Sequence, residues 1–189
     1  MITLKTLSWS NCFSYGENNS IDLSEQKITQ ILGTNGVGKS SIPLILEEVL
    51  FNKNSKGIKK ADIANRMFNS GYSINLKFSK DSDEYEIDLV RKSSLKVKLL
   101  KNGEDISSHT ATNTYKTIED IISIDFKTFS QVVYQNPNAS LNFLTATDAN
   151  RKKFLIDLLG LEKYVEIFEM FKTLSRDVES EYSRVDGKI

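Results

Sequence analysis

The amino-acid sequence predicts an α/β fold, and three observations support that prediction. The glycine-rich stretch "GTNGVGKSS", residues 33–41, lies between an apolar segment and an apolar stretch of helical length. Three stretches between residues 72 and 107 alternate apolar and polar residues, as half-buried strands do. From about Thr147 onward, apolar residues recur at helical spacing. A length of 189 residues suits one domain with an appendage.

Composition and charge narrow the class of protein. Apolar residues make up 39% and charged residues 26% of the chain, a balance typical of globular proteins. The formal net charge is zero, so a nucleic-acid partner would need a local basic patch. The single cysteine, Cys12, cannot form an internal disulfide and is expected to be buried in a protein of a reducing compartment. No signal peptide and no apolar run of about 20 residues is apparent, which predicts a cytoplasmic protein without membrane contact.

The N-terminal part is predicted to contain three strands and a helix. "ITLKTLSWSN" alternates as a half-buried strand, and "SIDL" is its short return strand. "KITQILG" alternates less and predicts a more buried strand that ends at the glycine-rich loop. "SSIPLILEEVLF" predicts an apolar helix, and Pro43 predicts a slight kink about one turn into it.

The middle of the chain is predicted to be a surface loop, a meander, a helix and a strand, in that order. The lysine-rich residues 52–73 form the loop, with one helical turn. "TNTYKTIEDIIS" forms the helix, and "FSQVVYQNPN" forms a short strand that ends in a polar loop. The antiparallel meander consists of "YSINLKFS", "EYEIDLVRKS" and "LKVKLLKNGEDIS".

The C-terminal part is predicted to be helical from about Thr147 to the end, with a break at Gly160. Beyond the break, apolar residues step by four and three over roughly three heptads, which predicts a coiled-coil seam with one polar position at Ser175. The alternative is an ordinary amphipathic helix that packs on the domain's own core. The seam consists of Tyr164, Phe168, Phe171, Ser175, Val178, Tyr182 and Val185.

The glycine-rich stretch fulfils the phosphate-loop pattern G-x-x-x-x-G-K-[ST] with Gly33, Gly38, Lys39 and Ser40. Glycines let backbone N–H groups turn toward phosphate oxygens, and the following helix adds the positive end of its dipole. Lys39 is predicted to reach the β- and γ-phosphates, and the Ser40 hydroxyl to ligate Mg²⁺. The alternative is a glycine-rich turn with an incidental lysine. The predicted ATP-binding residues are Asn35, Gly36, Val37, Gly38, Lys39, Ser40 and Ser41.

A complete ATPase site needs more than this loop. Phosphate-loop ATPases hold Mg²⁺ with an acidic residue at the end of another apolar strand, and a neighbouring polar group activates water. The sequence contains no run of four apolar residues followed by Asp-Glu or Asp-Asp. The chain alone is therefore predicted to bind ATP weakly without significant hydrolysis.

Four stretches together resemble the N-terminal half of an SMC-like DNA-repair ATPase head of the SbcC type, a family that includes ATPase subunits of phage recombination endonucleases. They are "GTNGVGKSS", "ITLKTLSWSNCFSYGENNSIDL", "FSQVVYQNPN" and "TDANRKKFLIDLLGLEKYVEIFEMFKTLSRDVE". The resemblance implies a phosphate-loop NTPase lobe of ABC/SMC type, with an antiparallel β meander and the start of a coiled-coil helix. It covers essentially the whole chain.

The resemblance implies roles for particular residues. Gln135 matches the glutamine of the family's Q-loop, which contacts Mg²⁺ together with Ser40 and helps to place the attacking water. The alternative is a solvated or capping glutamine after a strand. Many family members carry a basic residue in the turn after the first strand, where it can approach the nucleotide. Phe13 occupies the matching position here, so this chain departs from the family pattern.

The resemblance also implies an assembly. Residues 1–160 would be the N-terminal lobe of the head, and residues 161–189 the start of the outgoing coiled coil. A C-terminal half and a second head would complete the ATPase, which would gate a metallo-nuclease on double-stranded DNA ends in the host cytoplasm, associated with the nucleoid. One alternative is a chromosome-organising SMC-type head without a nuclease, and a transporter-type nucleotide-binding domain is disfavoured by the heptad helix.

Three basic clusters are candidates for DNA contact, which would be directed at phosphates. The resemblance favours the second, in which Lys96 and Lys98 project from one strand face. The alternative for each is a solvated surface. The clusters are Lys53, Lys56, Lys59, Lys60 and Arg66; Arg91, Lys92, Lys96, Lys98 and Lys101; and Arg151, Lys152 and Lys153.

Overall fold

The computed structural model describes residues 1–25, 28–68, 71–130 and 145–186. The chain divides into two compact units, Met1–Ser130 and Gln131–Ile189. The strands of the first unit are β1 (Ile2–Ser10), β2 (Asn19–Asp22), β3 (Tyr72–Lys80), β4 (Asp83–Arg91), β5 (Leu95–Lys101) and β6 (Glu104–Asp105). Its helices are α1 (Ser41–Phe51), α2 (Lys60–Ile63), α3 (Ala111–Ile122) and α4 (Phe126–Thr128).

The described strands form one antiparallel sheet in the order β2-β1-β3-β4-β5-β6. The predicted return strand and the predicted three-stranded meander are both present, the meander as β3, β4 and β5. The β3–β4 and β5–β6 connections are short because Asp81 and Asn102 adopt the left-handed conformation that tight turns require.

A β-bulge in β1 explains how Leu4 and Leu7, which are three residues apart, lie on the same face of the sheet. The pairing register between β1 and β3 shifts between Leu4 and Thr6. Leu4 consequently stands opposite Phe78, and Leu7 stands opposite Leu76, on the same face of the sheet. Without the bulge, the period of two would direct Leu4 and Leu7 to opposite faces.

The core of the first unit lies between the inner face of the sheet and helices α1 and α3. Leu7, Leu76, Ile87 and Leu99 stand in one row across four strands, and none is more than 2% exposed. Helix α1 packs against β3, β4 and α3, and α3 packs against β5. Burial of each such side chain contributes about 1.5–3 kcal/mol to stability, so this row fixes α1, and with it the glycine-rich loop, on the sheet.

The predicted strand "KITQILG" is wrong for this chain. Residues 28–34 form no strand, and Ile28 and Leu32 are 86% and 78% exposed. A strand needs neighbours that accept its backbone hydrogen bonds, and no strand in the described ranges pairs with this segment. An exposed apolar stretch therefore stands directly before the glycine-rich loop.

The described part of the second unit contains helices α5 (Asp148–Leu159) and α6 (Glu162–Asp186). The predicted break at Gly160 is present. Gly160 has φ of +62°, and the Leu161 N–H donates to the Ile156 carbonyl at 2.9 Å, which is the bond pattern that ends a helix at a left-handed glycine. Helix α6 buries no side chain among its described residues, so its predicted coiled-coil seam is exposed.

Candidate nucleotide-binding site

The glycine-rich loop adopts a backbone path that strongly favours glycine at two positions. Gly36 and Gly38 have φ of +87° and +100°, in the left-handed region that costs other residues free energy. A Cβ atom on Gly38 would also lie 2.5 Å from the Ser14 hydroxyl oxygen. Gly38 is therefore required both by its conformation and by the close approach of the turn after β1.

The Lys39 side chain folds back across the loop. Its ammonium group donates hydrogen bonds to the carbonyl oxygens of Gly33 and Thr34, both at 2.7 Å. Phosphate oxygens carry negative charge and accept stronger hydrogen bonds than carbonyl oxygens. The loop thus holds an ammonium group at its own mouth, where an anionic phosphate group can take over these hydrogen bonds.

The N-terminus of α1 adds the Ser40 hydroxyl and the positive end of the helix dipole at the end of the loop. Ser40 is the N-cap residue, and its hydroxyl makes no capping hydrogen bond to the described turn that follows it. The first turn of α1 contains no acidic residue, so the positive end of its dipole is not compensated by a carboxylate of its own helix. An uncapped N-terminus and an unengaged hydroxyl fit an anion together with a hard cation.

Pro43 is compatible with this helix start. It is the third helical residue, and N–H groups of the first turn have no partner within the helix in any case. The Lys39 carbonyl accepts a hydrogen bond from the Ile42 N–H at 3.3 Å instead. The predicted kink therefore lacks its expected cause, because proline removes no helical hydrogen bond here.

The other predicted site residues are distributed along the loop. Asn35, Gly36 and Val37 form its exposed tip, and Ser41 is the first residue of α1. Gln135 lies outside the described residues, as does most of the predicted strand "FSQVVYQNPN". The predicted pairing of Ser40 with Gln135 therefore remains a prediction.

Sequence reasoning missed one residue that contacts the loop. The Tyr15 hydroxyl donates a hydrogen bond to the Gly38 carbonyl at 3.0 Å. Burial raises the pKa of Tyr15, so its hydroxyl stays protonated as a donor at neutral pH. The sequence offered a signal for Tyr15. The resemblance pointed to the turn after the first strand as a neighbour of the nucleotide, and Tyr15 lies in that turn, two residues after Phe13.

A family model described as an AAA domain matches residues 6–184. The chain belongs to this AAA domain family. The match includes the whole glycine-rich loop, all of the sheet except the first four residues of β1, and nearly all of α6.

Two curated relatives are DNA-processing proteins by name. The "Probable exonuclease subunit 2" of Escherichia phage T5 is 46% identical over 189 residues, 100% of this chain and 31% of the phage protein. The "DNA double-strand break repair Rad50 ATPase" of Methanococcus maripaludis is 28% identical over 187 residues, 98% of this chain and 18% of that protein. The chain thus spans less than a third of the length of either relative. These matches confirm the resemblance to SMC-like DNA-repair ATPases, and the length covered fits the N-terminal half of a head.

The solved structures support the fold. The Smc head domain of Pyrococcus furiosus, with an extended coiled coil and bound to the C-terminal domain of ScpA, superposes with a TM-score of 0.65 at 20% identity. The superposition covers 98% of this chain and 49% of that chain. The AAA domain chain therefore has the predicted α/β fold of an SMC-type head lobe that continues into a long helix.

The far end of α1 carries a buried carboxylate, Glu48, with a cluster of partners that the sequence did not reveal. The Glu48 side chain is fully buried, accepts a hydrogen bond from the Tyr72 hydroxyl at 2.7 Å, and forms ion pairs with Lys60 and Arg91. Burial raises the pKa of Tyr72, and the Glu48 carboxylate raises it further. Burial lowers the pKa of Lys60, whereas Glu48 opposes that shift. This cluster attaches the phosphate-loop helix to β3, β4 and the segment around α2.

The favoured basic cluster is divided between the two faces of the sheet. Lys98 stands opposite Asp88 on the outer face, where Lys96 also projects, and Lys98 pairs with Asp105 at 3.7 Å. Arg91 instead reaches Glu48 inside the unit, and Lys101 pairs with Asp83 at 2.7 Å. The predicted common face of Lys96 and Lys98 is confirmed, but the continuous five-residue basic patch is not formed.

Two classes of feature are absent from the described ranges. No helix there is both long and apolar enough to cross a membrane. The same ranges contain no group of three or more His, Cys, Asp or Glu side chains arranged to hold a metal ion.

Proposed function

We propose that this chain binds ATP with Mg²⁺ in the loop at residues 33–41, as part of the ATPase subunit of a DNA recombination or repair exonuclease complex. The observation that carries the proposal is the Lys39 ammonium group, held within the glycine-rich loop at the uncapped N-terminus of α1. Bound MgATP would supply the phosphoanhydride bond whose cleavage drives the complex. Lys39 would bind the β- and γ-phosphates, and Ser40 with Gln135 would hold the cation.

The choice of DNA recombination or repair is supported by the relatives. One is named an exonuclease subunit and another a double-strand break repair ATPase. In the proposed complex, ATP-driven association of two heads gates a metallo-nuclease subunit on double-stranded DNA ends. Lys96 and Lys98 on the outer face of β5 are the proposed phosphate contacts of the meander.

The exposed segment before the loop supports the need for a second half of the head. Ile28, Ile31 and Leu32 are apolar and exposed, and no strand in the described ranges pairs with their backbone. We propose that strands outside this chain, from the C-terminal half of the head, cover this segment and bring the missing acidic residue. Residues 1–160 are then the N-terminal lobe, and residues 161–189 the start of a coiled coil that leads to that half.

A chromosome-organising SMC-type head without a nuclease partner is the second candidate, and the structural likeness to an Smc head favours it. Affinity capture of the protein from its native source separates the two candidates. Co-purification of a metallo-nuclease subunit supports the exonuclease complex. Reproducible capture without any nuclease contradicts it.

Titration of the chain with a fluorescent ATP analogue and Mg²⁺ tests the nucleotide site. We expect weak binding that Lys39→Ala abolishes, because the phosphates lose their principal cation, and negligible ATP hydrolysis by either protein. Lys96→Ala is the matched control, since it removes an exposed lysine from β5 without touching the loop. Equal affinity of Lys39→Ala and the unmodified chain would contradict the proposed site.

A further inference from the structure

We propose that Tyr15 is a positioning residue of the phosphate loop, which orients the Gly38–Lys39 peptide group so that its N–H faces a bound phosphate. The inference rests on the proposed binding of ATP by residues 33–41. It assigns a role to the turn after β1, in which Phe13 and Tyr15 lie.

The hydrogen bonds at the Gly38 carbonyl carry the first step. This oxygen accepts from the Tyr15 hydroxyl at 3.0 Å and from the Ser41 N–H at 2.8 Å. A carbonyl oxygen has two acceptor positions, and both are therefore used. In a trans peptide group the C=O and the following N–H point in opposite directions. Because these two hydrogen bonds hold the Gly38 carbonyl on one side of the loop backbone, the Lys39 N–H points to the opposite side.

The Tyr15 ring is itself fixed on the sheet. It meets the buried Trp9 ring edge-on, with centroids 5.1 Å apart and an interplanar angle of 80°. Such aromatic pairs contribute about 0.5–1.5 kcal/mol beyond simple burial. Trp9 belongs to β1 and stands opposite Ile74 of β3, so the hydroxyl is presented to Gly38 from a rigid part of the core.

The turn that presents Tyr15 is held in an uncommon conformation. Phe13 has φ of +53°, where a bulky side chain is disfavoured, and the Tyr15 N–H donates to the Cys12 carbonyl at 2.9 Å to close the turn. Such strain persists where the surroundings over-determine the backbone, and it clusters at functional sites. A turn that served only to reverse the chain would more readily place glycine or asparagine at this position.

Ile63 at the end of α2 and Asn65 just after it hold the turn with three hydrogen bonds. The Phe13 N–H donates to the Ile63 carbonyl at 2.6 Å, and the Asn65 side-chain amide donates to the Tyr15 carbonyl at 3.0 Å. The Asn65 N–H donates to the Asn11 carbonyl at 2.8 Å. With these bonds in place, the turn cannot withdraw from Gly38 unless several hydrogen bonds break together.

Tyr15→Phe tests the inference because it deletes the hydroxyl and leaves the ring on Trp9. The Gly38 carbonyl keeps its bond from Ser41, so no buried acceptor is left unpaired and the folded state is little affected. The matched control is Tyr72→Phe, which deletes a tyrosine hydroxyl bonded to Glu48 near the C-terminal end of α1, away from the loop. Affinities for a fluorescent ATP analogue with Mg²⁺ and for competing inorganic pyrophosphate are measured well below the unfolding midpoint of every variant.

We expect Tyr15→Phe to weaken binding of both probes by a similar factor, about three- to tenfold, as the loss of one net hydrogen bond implies. Its unfolding midpoint should fall less than that of Tyr72→Phe, which should keep the affinity of the unmodified chain. Equal affinities of Tyr15→Phe and Tyr72→Phe would overturn the inference, as would a loss for the nucleotide without one for pyrophosphate. The Lys39→Ala variant, measured in parallel, reports on the nucleotide site itself, so failure of the proposed function is recognised separately.

Discussion

The Tyr72 hydroxyl donates a hydrogen bond of 2.7 Å to the Glu48 carboxylate, which joins strand β3 to the far end of the helix that starts at the phosphate loop. The Glu48 side chain is fully buried, and its partners Lys60 and Arg91 remain 35% and 20% exposed. A buried carboxylate of this kind is tolerated because a hydroxyl and two cations surround it. The helix that follows the phosphate loop is thereby connected to the sheet through one buried charge.

Replacing Glu48 with glutamine should destabilise the chain by about 3 kcal/mol, because Lys60 and Arg91 lose their buried counter-charge. Urea denaturation followed by circular dichroism measures this difference. The matched control is Glu169→Gln on exposed α6, whose pair with Lys172 is at the surface, and the expected change there is within about 0.5 kcal/mol. Equal effects of the two substitutions would contradict the structural role of Glu48.

Gly38→Ala should destabilise the chain and abolish nucleotide binding. With a methyl group at this position, the left-handed conformation costs about 1–2 kcal/mol of stability, and the added Cβ also lies too close to the Ser14 hydroxyl oxygen. Gly36→Ala is the control, since Gly36 shares the left-handed conformation but has open space around its position. Thermal unfolding of both variants checks the prediction, which fails if Gly36→Ala is the more destabilised of the two.

The buried thiol of Cys12 predicts a loss of stability at alkaline pH. Burial raises the pKa of Cys12 to about 12, and Glu48 raises it to a lesser extent. Above the thiol's ordinary pKa, near 8.5, the unfolded chain releases a proton that the folded chain retains, so the free energy of unfolding falls as the pH rises toward the folded value. Between pH 9 and 10 the loss from this group is about 1 kcal/mol.

Cys12→Ala isolates that contribution. Urea denaturation at pH 9 and at pH 10 should give a smaller loss of stability for the variant than for the unmodified chain. The comparison uses the difference between the two pH values, so the methyl-sized loss of packing in the variant cancels. Identical losses in both proteins would show that the thiol ionises as easily in the folded state as in the unfolded one.

Leu32→Lys should leave the stability of this chain unchanged within about 0.5 kcal/mol, because the Leu32 side chain is 78% exposed. In a complex with the C-terminal half of the head, the same substitution should weaken association, since it puts a charge into the proposed strand interface. Co-expression followed by affinity capture measures the association, with Lys96→Glu as a control on the outer face of β5. A large loss of stability in the isolated chain would contradict the exposed position of the segment.

Local sequence patterns predicted most of this fold because the relevant signals lie within a few residues of one another. Each of these signals spans a single strand or a single helical turn. They are the apolar–polar alternation in β3, β4 and β5, the helical spacing of Tyr115 and Ile118, and the glycine at position 160. "KITQILG" failed because an apolar run becomes a strand only beside a partner, and its pairing depends on strands that the described ranges do not contain.

The phosphate-loop motif was determined by the sequence alone, since Gly33, Gly38, Lys39 and Ser40 lie within eight consecutive positions and their backbone geometry is local. What only the tertiary structure decided is the support of that motif. The contacts of Tyr15 with Gly38, and of Tyr72 with Glu48, join residues 23 and 24 positions apart. The register of β1 against β3 and the packing of α1 bring these residues together, and no pattern along the chain encodes either.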